Sequence, residues 1–480
     1  MENITLTDIR QGIKNYGTKQ TIKGILSLLS HLSDANIVRL TKFAEYIVAN
    51  EAQKERVKVV REKFENGHPS LELARRIARK VSPQTKEKMA QNLFINAMFL
   101  GTRKRNRIYQ EEGWKPPFFF VISPSMRCNL KCIGCYAADY TKADVLTTET
   151  IDNLFTQAKE LGIYFITVSG GEPFYRKDLL DLWEKHSDMY FLVYTNGTLI
   201  DKKIAERLGR MGNVAPAISL EGFEKETDFR RGSGIFKRIQ ETWGLLRENK
   251  VLFGFSATCT RLNAELIYSD EFIDFMIENG AIFGWYFQYI PIGREPDIHL
   301  MATPKQRHYV RERLQVIRDT KPIILADFWN DGHLACGCIA GGRVYFHINV
   351  NGDIEPCVFT HFALDNITKT SLKDALNSKL FKMIKSKQPY SKNLMCPCMI
   401  IDEPEVLRQI VTESGAKSTH PGAESLLKDN IADFLDNYSK ELHSMWDPIW
   451  EKVYDGGRNL KAIDKEVAEK IFRKNEDNQN

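Results

Sequence analysis

The sequence predicts an α/β protein: a partial (β/α)6 TIM-like barrel with a helical N-terminal domain, and a small Cys-rich C-terminal domain followed by helices. Three observations predict this organisation. Apolar residues recur at helical spacing before residue 113, six apolar runs alternate with helical patterns from 118 to 290, and a second cysteine group begins after residue 334. With 480 residues, 43% of them hydrophobic, the chain is long enough for two or three domains.

Residues 1–112 are predicted to be helical, because strand-like alternation is absent and apolar positions are three and four residues apart. Between residues 51 and 112, fifteen basic residues face eight acidic ones. The segment 93–107 is apolar and then strongly basic. We expect it either to pack against the next domain, which is the favoured interpretation, or to contact an anionic membrane surface.

Residues 113–295 carry the alternating pattern of a parallel sheet with right-handed crossovers. The predicted strands are 118–123, 164–168, 190–194, 214–220, 252–258 and 283–290. The predicted helices are 148–161, 179–185, 202–210, 235–249 and 270–279. Because ligands bind at the carboxyl ends of such strands, we look for the chemistry there.

The rest of the chain divides into three predicted regions. Residues 296–333 are expected to form a linker or helical connection. Residues 334–400 form the cysteine-rich region, in which Asn351-Gly352 predicts a hairpin between 344–350 and 353–358. Residues 401–480 are expected to be helical.

Nine cysteines are the most informative residue type. The beginning of the sequence lacks a signal-peptide pattern, which predicts a cytoplasmic protein, and a reducing compartment favours metal ligands or catalytic thiols over disulfides. Cys259 stands alone and is expected to be a small buried hydrophobe. The other eight fall into two groups.

The first group is Cys128, Cys132 and Cys135, placed directly after the first predicted strand. Three thiolates at these spacings can hold one [4Fe–4S] cluster and leave its fourth iron without a protein ligand. A cluster that only transfers electrons normally has four protein ligands, so the open iron predicts a bound cofactor. A zinc site is the alternative, but no second cysteine pair lies nearby in the sequence.

The spacing C-x3-C-x2-C, with Tyr136 beside the last cysteine, resembles the signature of the radical S-adenosylmethionine superfamily. A second match is Ser169-Gly170-Gly171-Glu172-Pro173 after the second strand. In that family, this turn carries groups that bind the methionine portion of the cofactor. The resemblance extends over residues 116–295. It implies reductive cleavage of S-adenosylmethionine to a 5′-deoxyadenosyl radical that abstracts hydrogen from a substrate.

The resemblance also implies further cofactor-binding residues. Ser219-Leu220-Glu221-Gly222 is similar to the Ser-Leu-Asp-Gly found at the end of the fourth strand in that family, with glutamate in place of aspartate. Asn196 ends the third strand, where cofactor contact and a plain turn are both open interpretations. Arg230 or Arg231 is a candidate partner of the methionine carboxylate. The implied set is Tyr136, Ser169, Gly170, Gly171, Glu172, Asn196, Ser219, Glu221 and Arg230.

The second cysteine group is similar to the auxiliary-cluster domains called SPASM and twitch. Cys338 and Cys357 flank the predicted hairpin, and Cys396-Pro-Cys398 supplies two more thiols. The full SPASM run C-x2-C-x5-C-x3-C is absent, which favours one auxiliary [4Fe–4S] cluster, with Cys336 as a spare or alternative ligand. A zinc ribbon remains the alternative.

The substrate is left open among a small molecule, a lipid and a peptide. Relatives with auxiliary clusters often modify ribosomally made peptides, but many of them carry a winged-helix domain that this N-terminal region does not resemble. Nucleic acid is disfavoured because no recognised RNA-binding module or broad basic stripe is present. An external reductant such as flavodoxin or ferredoxin is implied. Tyr286, Gln288 and Tyr289, at the end of the sixth strand, are candidates to face the substrate, although core packing is expected for at least one.

A non-catalytic redox or zinc-bearing scaffold protein is the alternative from another class. Neither role needs an open iron or a cofactor-binding turn, so the two motifs together favour the enzyme.

Overall fold

The computed structural model describes residues 41–42, 51–137 and 146–454, and the predictions for residues 1–40, 43–50 and 455–480 lie outside these ranges. The described part of the N-terminal region is helical, as predicted. It contains α1 (Glu51–Glu65), α2 (Ser70–Lys80), α3 (Pro83–Lys88), a segment with π-type hydrogen bonding (Met89–Gly101) and α4 (Thr102–Glu112). Ser82 caps α3 by accepting a hydrogen bond from the Thr85 N–H at 3.0 Å.

The π-type segment packs against the α/β domain with one face. Asn92 and Asn96 donate hydrogen bonds to backbone carbonyls of residues 187–189, and the buried Arg105 donates to the Gly162 carbonyl. This packing agrees with the favoured interpretation of 93–107. The opposite face exposes Phe94, Met98 and Leu100. Peripheral membrane contact through 93–107 therefore stays a prediction.

The α/β domain contains the six predicted parallel strands. They are β1 (Phe119–Ile122), β2 (Phe165–Val168), β3 (Tyr190–Thr195), β4 (Val214–Leu220), β5 (Gly254–Cys259) and β6 (Phe283–Gln288). Each pairs with its sequence neighbour in parallel register, for example Phe119 with Phe165. The α/β fold class is confirmed.

The sheet is longer than predicted, because strands join it at both edges. The added strands are β7 (Ile324–Asp327), β8 (His347–Ile348) and β9 (Ile354–Glu355), and the sheet order is β7-β6-β5-β4-β3-β2-β1-β8-β9. Strand β7 (Ile324–Asp327) lies within 296–333, which we expected to be only a linker or helix, and it pairs in parallel with β6. The apolar run 323–326 was the available signal, but four residues are too few for periodicity to distinguish a strand from a helical turn.

Helices cover one face of the sheet. They are α5 (Thr148–Glu160), α6 (Asp178–Lys185), α7 (Lys202–Met211), α8 (Glu224–Arg231), α9 (Ile235–Glu248), α10 (Ala264–Ile267), α11 (Asp270–Glu278) and α12 (Pro304–Thr320). The short α8 and α10 were not predicted. The main core lies between these helices and the strand residues Phe120, Ile122, Phe191 and Phe255. Because side chains alternate along a strand, the intervening residues point to the other face.

The C-terminal part packs on that other face and forms a second core. The hairpin strands β8 (His347–Ile348) and β9 (Ile354–Glu355) are shorter than predicted, and β8 pairs in parallel with β1. Asn349 closes the turn by accepting hydrogen bonds from the N–H groups of Asn351 and Asp353. The remaining elements are β10 (Phe362–Ala363), α13 (Leu372–Leu376), α14 (Lys379–Lys387), α15 (Pro404–Ser414), β11 (Lys417–Ser418) and α16 (Asp429–Tyr454).

Among the helices described, none has the length and apolar character needed to cross a bilayer.

Candidate active site

A cavity of about 470 Å³ lies between the open face of the sheet and the C-terminal part. Strand residues that alternate with the core residues line it, including Val121, Thr167, Tyr194 and Phe287. Six cysteines of both sequence groups also line the same cavity: Cys128, Cys132, Cys135, Cys338, Cys357 and Cys398. The fold therefore brings together two cysteine groups that are about 200 residues apart in the sequence.

The loop 128–135, which carries Cys128, Cys132 and Cys135 and is called the first cysteine loop below, is positioned by hydrogen bonds from residues within it and around it. The Leu130 N–H donates to Cys128 Sγ at 3.4 Å, and Asn196 Nδ2 lies 3.8 Å from the same sulfur. Arg294 donates through Nη1 to the Cys132 carbonyl at 3.2 Å. Burial, together with the neighbouring Cys132, raises the pKa of Cys135. Burial disfavours the thiolate form, and the positive charge of a bound metal offsets this effect, so this donor set suits a cluster.

The turn Ser169-Gly170-Gly171-Glu172 approaches the backbone that leads into this loop. The Gly171 N–H donates to the Ser125 carbonyl at 2.9 Å, and the Glu172 N–H donates to the Arg127 carbonyl at 2.8 Å. A Cβ atom on Gly171 would lie 2.3 Å from the Arg127 carbonyl oxygen. Only glycine permits this contact, so the turn and the cysteine loop are fixed relative to each other.

Gly171→Ala is therefore expected to lower the free energy of unfolding by about 1–3 kcal/mol, because the methyl group forces backbone apart in a packed site. The matched control is Gly244→Ala, whose added Cβ meets nothing within 4 Å. Gly244 lies inside α9, where alanine is favoured over glycine by about 1 kcal/mol, so this control should be neutral or more stable than the parent. Urea unfolding measures both variants. Equal stability of the two would contradict the close-approach argument.

Glu172 supports the site from behind the cavity wall. Its buried carboxylate accepts hydrogen bonds from Thr195 Oγ1 at 2.7 Å, the Asn196 N–H at 2.8 Å and the Phe174 N–H at 3.1 Å. Burial raises the pKa of Glu172 to about 7, although these donors oppose the shift. Glu172 thus joins the ends of β2 and β3 rather than lining the cavity. Tyr136, Ser169, Gly170, Gly171, Asn196 and Ser219 do line it.

Glu221 also acts through its neighbours. Its buried Oε1 accepts hydrogen bonds from Arg230 Nη1 and Arg231 Nη2, both at 2.6 Å. Arg230 Nε additionally donates to the Ile133 carbonyl at 3.1 Å, inside the cysteine loop. Both arginines line the cavity, whereas Glu221 does not. The glutamate therefore fixes two guanidinium groups beside the first cysteine loop.

The charges on the cavity wall all have one sign. Among the described residues that line it, the charged side chains are Lys131, Arg230, Arg231 and Arg294, and none is acidic. All four lie in or next to the first cysteine loop. This end of the cavity suits an anionic ligand group such as a carboxylate.

Three cysteines of the second group accept a backbone hydrogen bond in the same way as Cys128 of the first group. Cys357 and Cys398 each accept a hydrogen bond, at 3.4 Å, from the N–H of the residue two positions later, as Cys128 does. Cys338 receives the equivalent bond from Ala340, and burial raises the pKa of Cys338 to about 12. Backbone N–H groups aimed at the sulfurs favour thiolates, and the three sulfurs line one cavity, so this set fits a cluster.

Cys396 and Cys336 differ from these three. Both are buried, but neither lines the cavity. The side chain of Cys396 instead contacts His443 on α16. The sequence suggested four ligands, Cys338, Cys357, Cys396 and Cys398, and the structure brings three of them to the cavity.

The cavity also has an aromatic wall that sequence analysis missed. It is formed by Phe118, Phe119, Phe165, Trp285, Phe287, Phe328, Trp329, Tyr345 and Phe359. Of the predicted substrate-facing residues, Gln288 and Tyr289 line the cavity, whereas Tyr286 is core and donates to the Ile267 carbonyl at 2.7 Å. Alternation along β6 was the available signal, since it places Trp285 and Phe287 opposite Tyr286.

Two family models match the chain. One is the radical SAM superfamily, over residues 122–261, and the other is an iron–sulfur cluster-binding domain named SPASM, over residues 336–399. The second match favours iron–sulfur over the zinc alternative for the auxiliary region.

Curated relatives include an AdoMet-dependent heme synthase of Methanosarcina barkeri, 24% identical over 54% of this chain and 82% of that protein. The mycofactocin maturase MftC of Mycobacterium tuberculosis is 27% identical over 58% of this chain and 75% of its own length. A solved structure of Streptococcus suis SuiB bound to S-adenosylmethionine superposes with a TM-score of 0.53 at 22% identity, over 65% of this chain and 81% of that one. The structural match shows a shared fold.

Proposed function

Because the chain belongs to the radical SAM superfamily and carries a SPASM-type iron–sulfur domain, we propose that its cavity is the active site in which S-adenosylmethionine and the substrate meet between two [4Fe–4S] clusters. The observation that carries this proposal is that three cysteines of each sequence group line the same cavity. In the proposal, Cys128, Cys132 and Cys135 hold the first cluster. Cys338, Cys357 and Cys398 hold the auxiliary one.

The chemistry of such a site comes from its cofactors: S-adenosylmethionine, when bound to the reduced first cluster, is cleaved to methionine and a 5′-deoxyadenosyl radical that takes hydrogen from the substrate. The protein's own residues bind, orient and exclude water. Arg230 and Arg231, fixed by Glu221, offer fork-shaped donors to the methionine carboxylate. Ser169 and Tyr136, hydrogen-bonded to each other at 2.7 Å, border the same space.

The aromatic wall supports a proposal for the substrate class. All nine side chains of this wall are aromatic, and the charged residues that line the cavity lie in or next to the first cysteine loop. We infer that the substrate inserts an apolar or aromatic side chain, and that it is a peptide.

Trp329 adds a polar feature that agrees with a peptide. Its buried indole N–H has no hydrogen-bond acceptor among the described residues. Trp329 lines the cavity, so a carbonyl group of a bound peptide is placed to accept this hydrogen bond. The named activity of the relative MftC, a maturase, is compatible with this substrate class.

Deuterium transfer tests the proposed function. The anaerobically reconstituted and reduced enzyme is incubated with S-adenosylmethionine and peptide pools, each deuterated in the side chains of one residue type. We expect deuterium in 5′-deoxyadenosine from pools labelled in leucine, valine, phenylalanine or tyrosine, and none from pools labelled in aspartate or lysine. An iron tetrapyrrole is included because one relative is a heme synthase.

The outcomes separate the substrate from the chemistry. Transfer from charged side chains, or turnover of the tetrapyrrole alone, would contradict the peptide proposal while leaving the radical chemistry intact.

Phe287→Ala should lower the yield of labelled product per cofactor cleaved by about 100-fold, because a substrate misplaced by about 1 Å reacts that much more slowly. An external reductant, such as flavodoxin or ferredoxin, is proposed as the electron source.

A further inference from the structure

A group of metal-ligand side chains lies outside the cavity. Cys396, His443 and Asp447 each offer one ligand atom, and these atoms lie within 4.8 Å of one another. Cys396 is fully buried in the loop before α15, and the other two residues lie on α16. We propose that these three side chains bind a zinc ion separate from both iron–sulfur clusters.

The ligand types and their placement suit zinc. Thiolate sulfur, imidazole nitrogen and carboxylate oxygen are all zinc ligands, and a thiolate disfavours magnesium and calcium. His443 and Asp447 are four residues apart on one helix, so their side chains lie on the same face. Cys396 completes the group from a different element. Three protein ligands leave a fourth position for water.

Neighbouring side chains hold the ligands in place. His443 Nδ1 lies 2.9 Å from Asp447 Oδ1, and His443 Nε2 lies 3.1 Å from Glu403 Oε1. Asn393 Nδ2 donates to Asp447 Oδ1 at 2.9 Å. Metal-bound histidines usually donate their second ring N–H to a carboxylate, and ligand carboxylates are themselves hydrogen-bonded. Asn393 fills the second of these roles, and Glu403 places a carboxylate 3.1 Å from His443 Nε2.

The position of Cys396 separates this site from the auxiliary cluster. Cys338, Cys357 and Cys398 line the cavity, and Cys396 does not. An ion bound at Cys396 would connect the loop that also carries Cys398 to α16. It would thereby fix one ligand of the auxiliary cluster without belonging to it. The zinc site itself does not depend on the identity of the substrate.

The test measures zinc and iron in the full-length, cluster-loaded protein by mass spectrometry, after dialysis against zinc and gel filtration. The variants are Cys396→Ala and His443→Gln, with the exposed His299→Gln as matched control. We expect about one zinc per chain in the parent and the control. Each site variant should contain at least about tenfold less zinc, with iron at the parental level.

Zinc X-ray absorption on the parent supplies a second measurement that needs no variant. One sulfur neighbour together with nitrogen or oxygen neighbours is expected. A parent chain without bound zinc, or zinc with only nitrogen and oxygen neighbours, would overturn the proposal. So would the loss of about four iron atoms from Cys396→Ala, because Cys396 would then be a cluster ligand. That result would leave the proposed function standing.

Discussion

Alanine at Cys338, Cys357 or Cys398 is expected to remove about four iron atoms per chain and to abolish substrate turnover. Each thiol lines the cavity opposite the first cysteine loop. Burial raises the pKa of Cys338 to about 12 and that of Cys398 well above its usual value, so ionisation of these thiols is favoured by the positive charge of a bound cluster. Two remaining thiols would therefore not retain a cluster, and iron analysis with electron paramagnetic resonance measures the loss.

Cys259→Ala is the matched control for these variants. Cys259 is also fully buried, but it lies in the main core and not on the cavity wall. Its replacement should leave the iron content at the parental level. Parental iron in any of the three auxiliary variants would instead show that the residue is not a ligand.

Asp402→Ala is expected to lower the free energy of unfolding by about 3–5 kcal/mol. Asp402 and Arg307 are both fully buried, and Arg307 donates to both carboxylate oxygens of Asp402, to Oδ2 at 3.1 Å. Oδ2 also accepts the Cys398 N–H at 2.9 Å. Alanine would leave the Arg307 charge buried without its partner and would free the segment that carries Cys398. Chemical unfolding measures the first effect, and auxiliary iron content measures the second.

The double variant Arg307→Met, Asp402→Leu separates the charge effect from packing. Replacing both members of a buried pair with apolar residues is often neutral or stabilising, so this variant should recover most of the lost stability. Lys373→Ala, which breaks the exposed pair with Glu112, should lower the free energy of unfolding far less than Asp402→Ala does, because solvent screens an exposed pair. Equal losses for Asp402→Ala and Lys373→Ala would contradict the assigned role of the buried pair.

Much of the fold could be predicted because its signals are local. Each of the six strands is a short apolar run, and the first cysteine motif and the Gly-Gly motif each follow a strand. The carboxyl ends of parallel strands meet at one edge, so the sequence alone could place Cys128, Gly171 and Ser219 near one another. The alternation within β6 also predicts that Trp285 and Phe287 share one face and Tyr286 lies on the other, which agrees with the expectation that at least one of Tyr286, Gln288 and Tyr289 is core.

The remaining features depend on contacts between distant segments, which no local pattern encodes. Cys396 and Cys398 look equivalent in the sequence, yet one sulfur meets α16 and the other meets the cavity. Glu172 and Glu221 stay predicted cofactor-binding residues. The structure adds that their carboxylates accept hydrogen bonds from Thr195, Asn196, Arg230 and Arg231, residues whose positions are fixed only by the assembled sheet.

The most direct test of the central claim compares the parent with Cys132→Ala, after both are reconstituted with iron and sulfide and reduced without oxygen. The parent should convert S-adenosylmethionine to 5′-deoxyadenosine and methionine in equal amounts, whereas Cys132→Ala should form neither above background and should contain about four fewer iron atoms. A parent that holds only zinc, or a Cys132→Ala variant that cleaves the cofactor as well as the parent does, would contradict the account.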